Sequence, residues 1–219
     1  VEAGLRVHNK AVAQPIVLNL DDDGVELVDL DLSGTFFDID DADYLENTGW
    51  AGAGDGILAI DLDGNGVIDR ADETVFTMHA PEEASDLPAL RAAFDSNDDG
   101  ILDAQDTDWA AFRVWRDLNQ DGVSDAGEVM TLASLGITGI VLNGIPTIQT
   151  EGSTTAFSNI VTAISSYTRA DGSIGTVQDV GFVRGADAHL AEVSHGQLLA
   201  ILYPRAGDEP KISPDVPKC

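Results

Sequence analysis

The sequence predicts an α+β fold, in which acidic loops alternate with short helices and small β elements. Three observations lead to this class. The 219 residues are 43% hydrophobic, which is enough for a sizeable core. Most aspartates lie between Asp21 and Asp125, often at every second position and beside glycine, a pattern typical of loops. Short apolar segments with strand or helix periodicity separate these loops.

The chain is strongly acidic. It has 39 Asp and Glu residues against 11 Lys and Arg residues, a net charge of −28. A folded chain of this charge repels itself unless cations lie among its carboxylates. It would also repel phosphate backbones, so we expect no nucleic-acid partner. No stretch approaches the roughly 18 apolar residues of a membrane span, and the single Cys219 excludes a disulfide framework.

Local patterns predict the elements in chain order. Residues 86–94 show helical periodicity, because Leu87, Leu90 and Phe94 share one face. Asp171-Gly172 is typical of a hairpin turn. The other predicted elements are a strand at 15–20, helices at 106–116 and 126–135, a helix end at Gly136 and a strand at 137–143. The predicted division is an upstream linker at 1–14, a main module at 15–180, and a C-terminal extension with a flexible tail at 181–219.

The most specific motif is a twelve-residue loop at 117–128. It has oxygen-bearing side chains at positions 1, 3, 5 and 9, glycine at position 6 and glutamate at position 12. Ca²⁺ takes about six to eight oxygen ligands, and a chain supplies them from alternate residues only if it turns sharply at position 6. Position 7 contributes its backbone carbonyl. The loop is therefore EF-hand-like, and its predicted Ca²⁺ ligands are Asp117, Asn119, Asp121, Val123, Asp125 and Glu128.

Two further loops follow the same pattern but differ at the end. In loop 95–106, Asp106 replaces glutamate at position 12, and its shorter side chain tends to weaken a site or favour a smaller ion. In loop 61–73, Asp72 stands at position 12 and Glu73 at position 13, and either could complete the ligand set. The other predicted ligands are Asp95, Asn97, Asp99, Ile101 and Asp103 in the first loop, and Asp61, Asp63, Asn65, Val67 and Asp69 in the second.

Position 8 of these loops bears on whether they pair. Ile68 and Leu102 are apolar and suit a short strand that joins two loops. Loop 117–128 departs from this, because Ser124 occupies that position.

Two weaker acidic loops precede these three. The first has oxygen donors at positions 1, 3 and 5 but leucine at positions 9 and 12, and the second lacks both the donor at position 5 and the glycine. Two interpretations stay open: the two loops together form one composite site, completed by Asp55 or Glu46, or they are solvated acidic turns. The candidate ligands are Asn19, Asp21, Asp23, Asp38 and Asp40.

Eight motifs in order resemble a known family. They are PIVLNLDDDG, FFDIDD, TGW, GDGILAIDLDGNGVID, FDSNDDGILDAQD, FRVWRDLNQDGVSDAGE, LGI and SYTRADGS. Together they resemble the FrpC-like self-processing modules of RTX proteins over residues 15–180. The resemblance implies a secreted module that folds when it meets Ca²⁺ outside the cell. It also implies self-cleavage of an Asp-Pro bond at the N-terminal edge, after which a lysine amine can open the resulting anhydride to form a cross-link.

The scissile position departs from this family. Gln14-Pro15 stands where the family has Asp-Pro, and no Asp-Pro dipeptide occurs in the chain. A neutral amide is a far poorer nucleophile than a carboxylate. We therefore expect cleavage to be lost.

The sequence thus predicts a Ca²⁺-folded module of a secreted RTX-type protein. We expect a monomer whose partners are calcium ions and other segments of a larger RTX chain. Two alternatives remain. One is an active autoprotease that cleaves at Gln14-Pro15 and joins the new end to a lysine. The other is a Ca²⁺-braced adhesin domain that binds its target through residues 144–205.

Overall fold

The computed structural model describes residues 14–41, 44–150, 158–185 and 190–191. Most of the predicted linker and the extension from residue 192 lie outside these ranges. The described part contains one α-helix, α1 (Asp86–Phe94), and 3₁₀ helices at Ala71–Glu73, Phe76–Met78, Trp109–Ala111 and Leu132–Leu135. Its strands are β1 (Ile16–Leu18), β2 (Leu27–Val28), β3 (Phe36–Phe37), β4 (Tyr44–Asn47), β5 (Trp50–Ala51), β6 (Gly56–Ile60), β7 (Ile101–Asp103), β8 (Phe112–Trp115), β9 (Val129–Thr131), β10 (Ile137–Val141), β11 (Ile145–Thr150), β12 (Ile160–Arg169), β13 (Ile174–Gly181) and β14 (Leu190–Ala191).

A curled antiparallel sheet of nine strands dominates the fold. Its order is β7-β10-β12-β13-β1-β6-β8-β9, and β11 also pairs with β12. The predicted hairpin is confirmed as β12 and β13, and Gly172 in its turn has a φ of +86°. The predicted strands at 15–20 and 137–143 are confirmed as β1 and β10. Two small sheets, β14-β4-β3 and β2-β5, complete the fold.

The large sheet is buried on both faces. Side chains alternate along β1, so that Ile16 and Leu18 join one hydrophobic cluster and Val17 joins the other. Helix α1 covers the first face. Phe37 of β3 and Trp50 of β5 cover the second face, where their rings lie 5.7 Å apart.

The α+β prediction with EF-hand-like helices is wrong, because the described chain is mostly β-sheet with a single α-helix. The helix at 86–94 is confirmed. Residues 106–116 instead form a 3₁₀ turn and β8, and residues 126–135 form β9 and a 3₁₀ turn that ends at Gly136. In β8, Val114 packs on one face of the sheet and Trp115 on the other. A strand buries both of its sides in this way, whereas an amphipathic helix buries a single stripe.

Two buried carboxylates lie where α1 meets the sheet. Asp86 accepts hydrogen bonds from the N–H groups of Phe76 and Thr77, both at 2.8 Å. Asp179 accepts one from the N–H of Leu87 at 2.9 Å, while its Oδ1 has no hydrogen-bond partner. Burial raises the pKa of Asp179. Burial, together with the nearby charge of Asp179, raises the pKa of Asp86 well above its ordinary value.

Asp179→Asn is expected to flatten the dependence of stability on pH. The folded state raises the pKa of Asp179 above its ordinary 3.8, so the folded protein binds this proton more tightly than the unfolded chain. Stability from this group is therefore present at low pH and is lost as pH rises through the raised pKa. The variant should be more stable than the parent at pH 8 by about 1–3 kcal/mol, because asparagine keeps an acceptor for the N–H of Leu87 and removes the buried charge. Urea unfolding at pH 5 and pH 8 measures this.

Asp171→Asn is the control. Hydrogen bonds from Ser173 lower the pKa of this exposed carboxyl, so its contribution is present at neutral pH and is lost as pH falls. Its effect should have the opposite sign. Equal pH slopes for the parent and Asp179→Asn would contradict the assignment.

Candidate metal centres in the acidic loops

Loop 117–128 is organised by hydrogen bonds to its acidic side chains. Asp117 Oδ2 accepts a hydrogen bond from the N–H of Gly122 at 2.9 Å. Glu128 reaches back across the loop, where Oε1 accepts from the N–H of Leu118 at 2.9 Å and Oε2 from that of Asp125 at 3.0 Å. The acid at position 12 therefore joins positions 2 and 9.

Loop 95–106 repeats this scheme. Asp95 Oδ2 accepts a hydrogen bond from the N–H of Gly100 at 2.9 Å. Asp106 accepts from Ser96 at 2.8 Å and from Asp103 at 2.9 Å, again at positions 2 and 9. The shorter side chain of Asp106 thus makes the same two contacts as the glutamate of loop 117–128.

Loop 61–73 uses the acid at position 13. Glu73 accepts hydrogen bonds from the N–H groups of Leu62 at 3.2 Å and Asp69 at 3.1 Å, which are positions 2 and 9. Asp72 instead forms an ion pair with Arg70 at 3.0 Å on the surface. Of the two acids that the sequence left open, the structure brings Glu73 into the loop.

Loop 61–73 also brings three carboxylates together. One oxygen each from Asp61, Asp63 and Glu73 lies within 4.8 Å of the others, the one such group within the described ranges. Asp61 is buried, and its Oδ1 has no hydrogen-bond partner, although Arg113 approaches its other oxygen at 3.4 Å. Burial raises the pKa of Glu73. Arg113 is one positive charge against three clustered carboxylates, and a buried carboxylate oxygen without a partner is unfavourable. The residues present therefore fit a hard divalent cation.

The remaining predicted ligands lie within their loops. Each loop contains one asparagine whose amide nitrogen donates to a neighbouring aspartate, at 2.9–3.1 Å. The pairs are Asn65 with Asp63, Asn97 with Asp99, and Asn119 with Asp121. Val67 and Ile101, at position 7, are exposed.

Loops 61–73 and 117–128 are joined through one hydroxyl group. Ser124 Oγ accepts a hydrogen bond from the N–H of Ile68 at 2.8 Å and donates to its carbonyl at 3.1 Å. Leu102 pairs with Ile140 of β10 instead of another loop. The serine that breaks the position-8 pattern therefore makes the contact between loops.

Loop 117–128 is also attached to the rest of the fold. Trp50 Nε1 donates to Asp117 Oδ2 at 2.9 Å, and Thr35 Oγ1 donates to the carbonyl of Gln120 at 2.7 Å. Burial, followed by the charges of Asp121 and Glu128, raises the pKa of Asp117. Loop spacing does not predict these contacts of Trp50 and Ser124, because both join segments more than fifty residues apart.

The two weaker loops lie in different surroundings. Arg184 forms ion pairs with Asp40 and with Glu46, the latter at 2.6 Å. Asp38 lines a cavity of about 200 Å³ beside Val123. The 19–24 loop instead lies next to Asp55. Burial, followed by the charges of Asp21 and Glu26, raises the pKa of Asp55 to about 6.

The Gln14-Pro15 dipeptide leads into the centre of the large sheet. The carbonyl of Pro15 accepts a hydrogen bond from the N–H of Val180 at 2.9 Å. Gln14 Oε1 is buried and has no hydrogen-bond partner.

Comparison with known proteins places this arrangement in a family. The family model of the SPM domain matches residues 16–183, from β1 to just beyond β13. The chain belongs to the SPM domain family. This SPM domain is 36% identical over 173 residues to the iron-regulated protein FrpA of Neisseria meningitidis serogroup C. The alignment covers 77% of this chain and 15% of that protein. The FrpC-like character expected from the motifs is thus confirmed at the level of the family.

In the described ranges, no helix is long and apolar enough to cross a membrane.

Proposed function

We propose that this SPM domain binds Ca²⁺ in loops 61–73, 95–106 and 117–128, and that binding completes its folding. The observation that carries the proposal is the buried, unpartnered Oδ1 of Asp61 beside the carboxylates of Asp63 and Glu73. The other two loops support it, because their acids contact the backbone in the same way. The net charge of −28 adds a general need for cations.

Binding at these loops would act on the whole fold. The Asp117 carboxylate contacts Trp50, which belongs to the second hydrophobic cluster. A ligand that binds only the folded state stabilises it by RT ln(1 + [L]/Kd). Extracellular Ca²⁺ modules have dissociation constants of about 10⁻⁴–10⁻³ M. Such sites stay empty at cytosolic Ca²⁺ and fill outside the cell, which couples folding to export. The FrpA-like relative supports an exported RTX-associated protein.

The proposal includes the loss of self-cleavage. Gln14 provides an amide where the reaction implied by the family resemblance needs a carboxylate nucleophile. The chain therefore acts as a folding module and stays intact when it binds Ca²⁺.

A Ca²⁺ titration followed by far-UV circular dichroism tests the proposal. We expect a cooperative gain of β-sheet signal between about 0.1 and 1 mM Ca²⁺, with one undivided band on a denaturing gel. Mg²⁺ at the same concentration is the control, because it demands octahedral geometry and dehydrates reluctantly. An unchanged spectrum at 10-fold higher Ca²⁺ would refute Ca²⁺-driven folding. A new band from cleavage near residue 14 would refute the loss of activity.

A further inference from the structure

Asp55 is a buried acid that none of the three loops uses. It lies directly before β6 and is 1% exposed. Its Oδ2 accepts a hydrogen bond from the N–H of Glu26 at 2.5 Å, but its Oδ1 is buried without a hydrogen-bond partner. A buried charged oxygen of this kind needs either a proton or a cation.

The surroundings of Asp55 are acidic. Asp21 Oδ2 packs so closely against Gly54 that a methyl group there would lie 2.2 Å from this oxygen. The charges of Asp21 and Glu26 both act on Asp55. The charge of Arg116 acts on Asp21, and its Nε donates to the carbonyl of Ala53 at 3.0 Å.

Asp55 resembles the closing acid of the other loops, which is the acid at position 12 or 13 that accepts hydrogen bonds from the loop backbone. In those loops, the closing acid binds the N–H groups of positions 2 and 9. Counted from Asn19, the N–H group that Asp55 accepts from belongs to Glu26 at position 8, one residue before position 9. Leucine occupies positions 9 and 12 of this loop, so no local acid can close it. Asp55 supplies the missing carboxylate from a distant part of the chain.

We propose that Asp55 and Asp21 form a fourth Ca²⁺ site, closed by an acid from outside the loop. Asp23, at position 5 of the same loop, provides a further oxygen donor on the exposed side. The ligand is a hard divalent cation, because every donor is an oxygen and most are carboxylates. The site extends the proposed function but shares no ligand with the other three loops.

Counting bound ions in the full-length chain tests this site. Equilibrium dialysis against saturating CaCl₂ should give four Ca²⁺ per chain for the parent and three for Asp55→Asn. Asparagine keeps the shape of Asp55 and can still accept the hydrogen bond from Glu26. Asp72→Asn, which removes an exposed acid paired with Arg70, is the matched control and should keep all four ions.

The outcomes separate this inference from the function on which it builds. The same number of ions in the parent and in Asp55→Asn would show that Asp55 is a buried, protonated acid that binds no ion. This result would overturn the fourth site but not the proposed sites in the three loops. A parent that binds no Ca²⁺ would overturn both proposals. If Asp55→Asn lacks the parent's circular dichroism spectrum, Asp21→Asn replaces it. That variant should also lose one ion, and an unchanged count would again overturn the site.

Discussion

Glu128→Gln is expected to weaken Ca²⁺ binding at loop 117–128 by at least tenfold and to move the folding midpoint to higher Ca²⁺. Glu128 closes the loop by accepting hydrogen bonds from Leu118 and Asp125. Glutamine keeps one of the two acceptors and removes the charge. Substitutions behind a metal ligand already lower affinity by roughly 10- to 100-fold, and the loss of a direct ligand should be at least as large. Each tenfold change corresponds to about 1.4 kcal/mol.

The measurement is the Ca²⁺ midpoint of folding, followed by circular dichroism and by tryptophan fluorescence. The indole N–H of Trp50 contacts Asp117 in the same loop, so its emission should report binding there. Coincident midpoints for Glu128→Gln and the parent would contradict the role of Glu128.

Loop 61–73 provides an internal comparison for this prediction. Glu73→Gln should shift the midpoint in the same direction, because Glu73 makes the two closing contacts. Asp72→Asn should leave it nearly unchanged, because its carboxylate pairs with Arg70 on the surface. A larger shift for Asp72→Asn than for Glu73→Gln would mean that the ion is bound through position 12 instead.

Gly122→Ala is expected to destabilise the folded protein by about 2–5 kcal/mol, more than the same change in either other loop. Gly66, Gly100 and Gly122 all occupy position 6, with φ between +78° and +82°. Alanine at any of these positions therefore costs about 1–2 kcal/mol, because the left-handed backbone conformation is strained for a residue with a side chain. At Gly122 the added methyl group would also lie 2.4 Å from the carbonyl oxygen of Phe36. Overpacking against backbone adds about 1–3 kcal/mol.

The other two glycines are matched controls. Around Gly66 nothing lies within 4 Å of the added carbon, so only the strain remains. At Gly100 the neighbour is the amide nitrogen of Asn143 at 2.5 Å, the end of a side chain that can move. Urea unfolding in saturating Ca²⁺ should rank the losses as Gly122 above Gly100 above Gly66. Equal losses at Gly66 and Gly122 would show that the contact with Phe36 contributes nothing.

The loops could be predicted from sequence because their hydrogen bonds are local. Each acid at position 1 contacts the glycine five residues later, and each closing acid contacts the backbone ten or eleven residues before it. Spacing alone therefore determines these contacts. The choice between Asp72 and Glu73 could not be made in this way, because it depends on the 3₁₀ turn at Ala71–Glu73 and on the ion pair of Arg70. Whether the loops bind Ca²⁺ stays a prediction.

Apart from the β12–β13 hairpin, the strand order of the sheet could not be predicted from sequence, because the other pairings described below join distant segments. Residues 112–115 are apolar at three of four positions, with Arg113 between Phe112 and Val114, and so short a pattern suits a buried strand or a buried helix equally. Their assignment as a strand depends on β6, which pairs Ile57 with Trp115. Asp55 and Asp21 likewise meet only because β1 and β6 are neighbours. Long-range contacts of this kind override local propensity.

The position of β1 between β13 and β6 has a mechanical consequence. The carbonyl of Pro15 and the N–H of Val180 are 2.9 Å apart in the folded domain, yet roughly 165 residues of extended chain would hold them up to about 550 Å apart. When the two ends of a domain lie close together, the domain can be inserted into a longer polypeptide. Folding of this domain would therefore draw its two flanking segments together. If Ca²⁺ drives folding as proposed, a rise in Ca²⁺ would shorten the distance between these segments, and pulling them apart would oppose the uptake of ions.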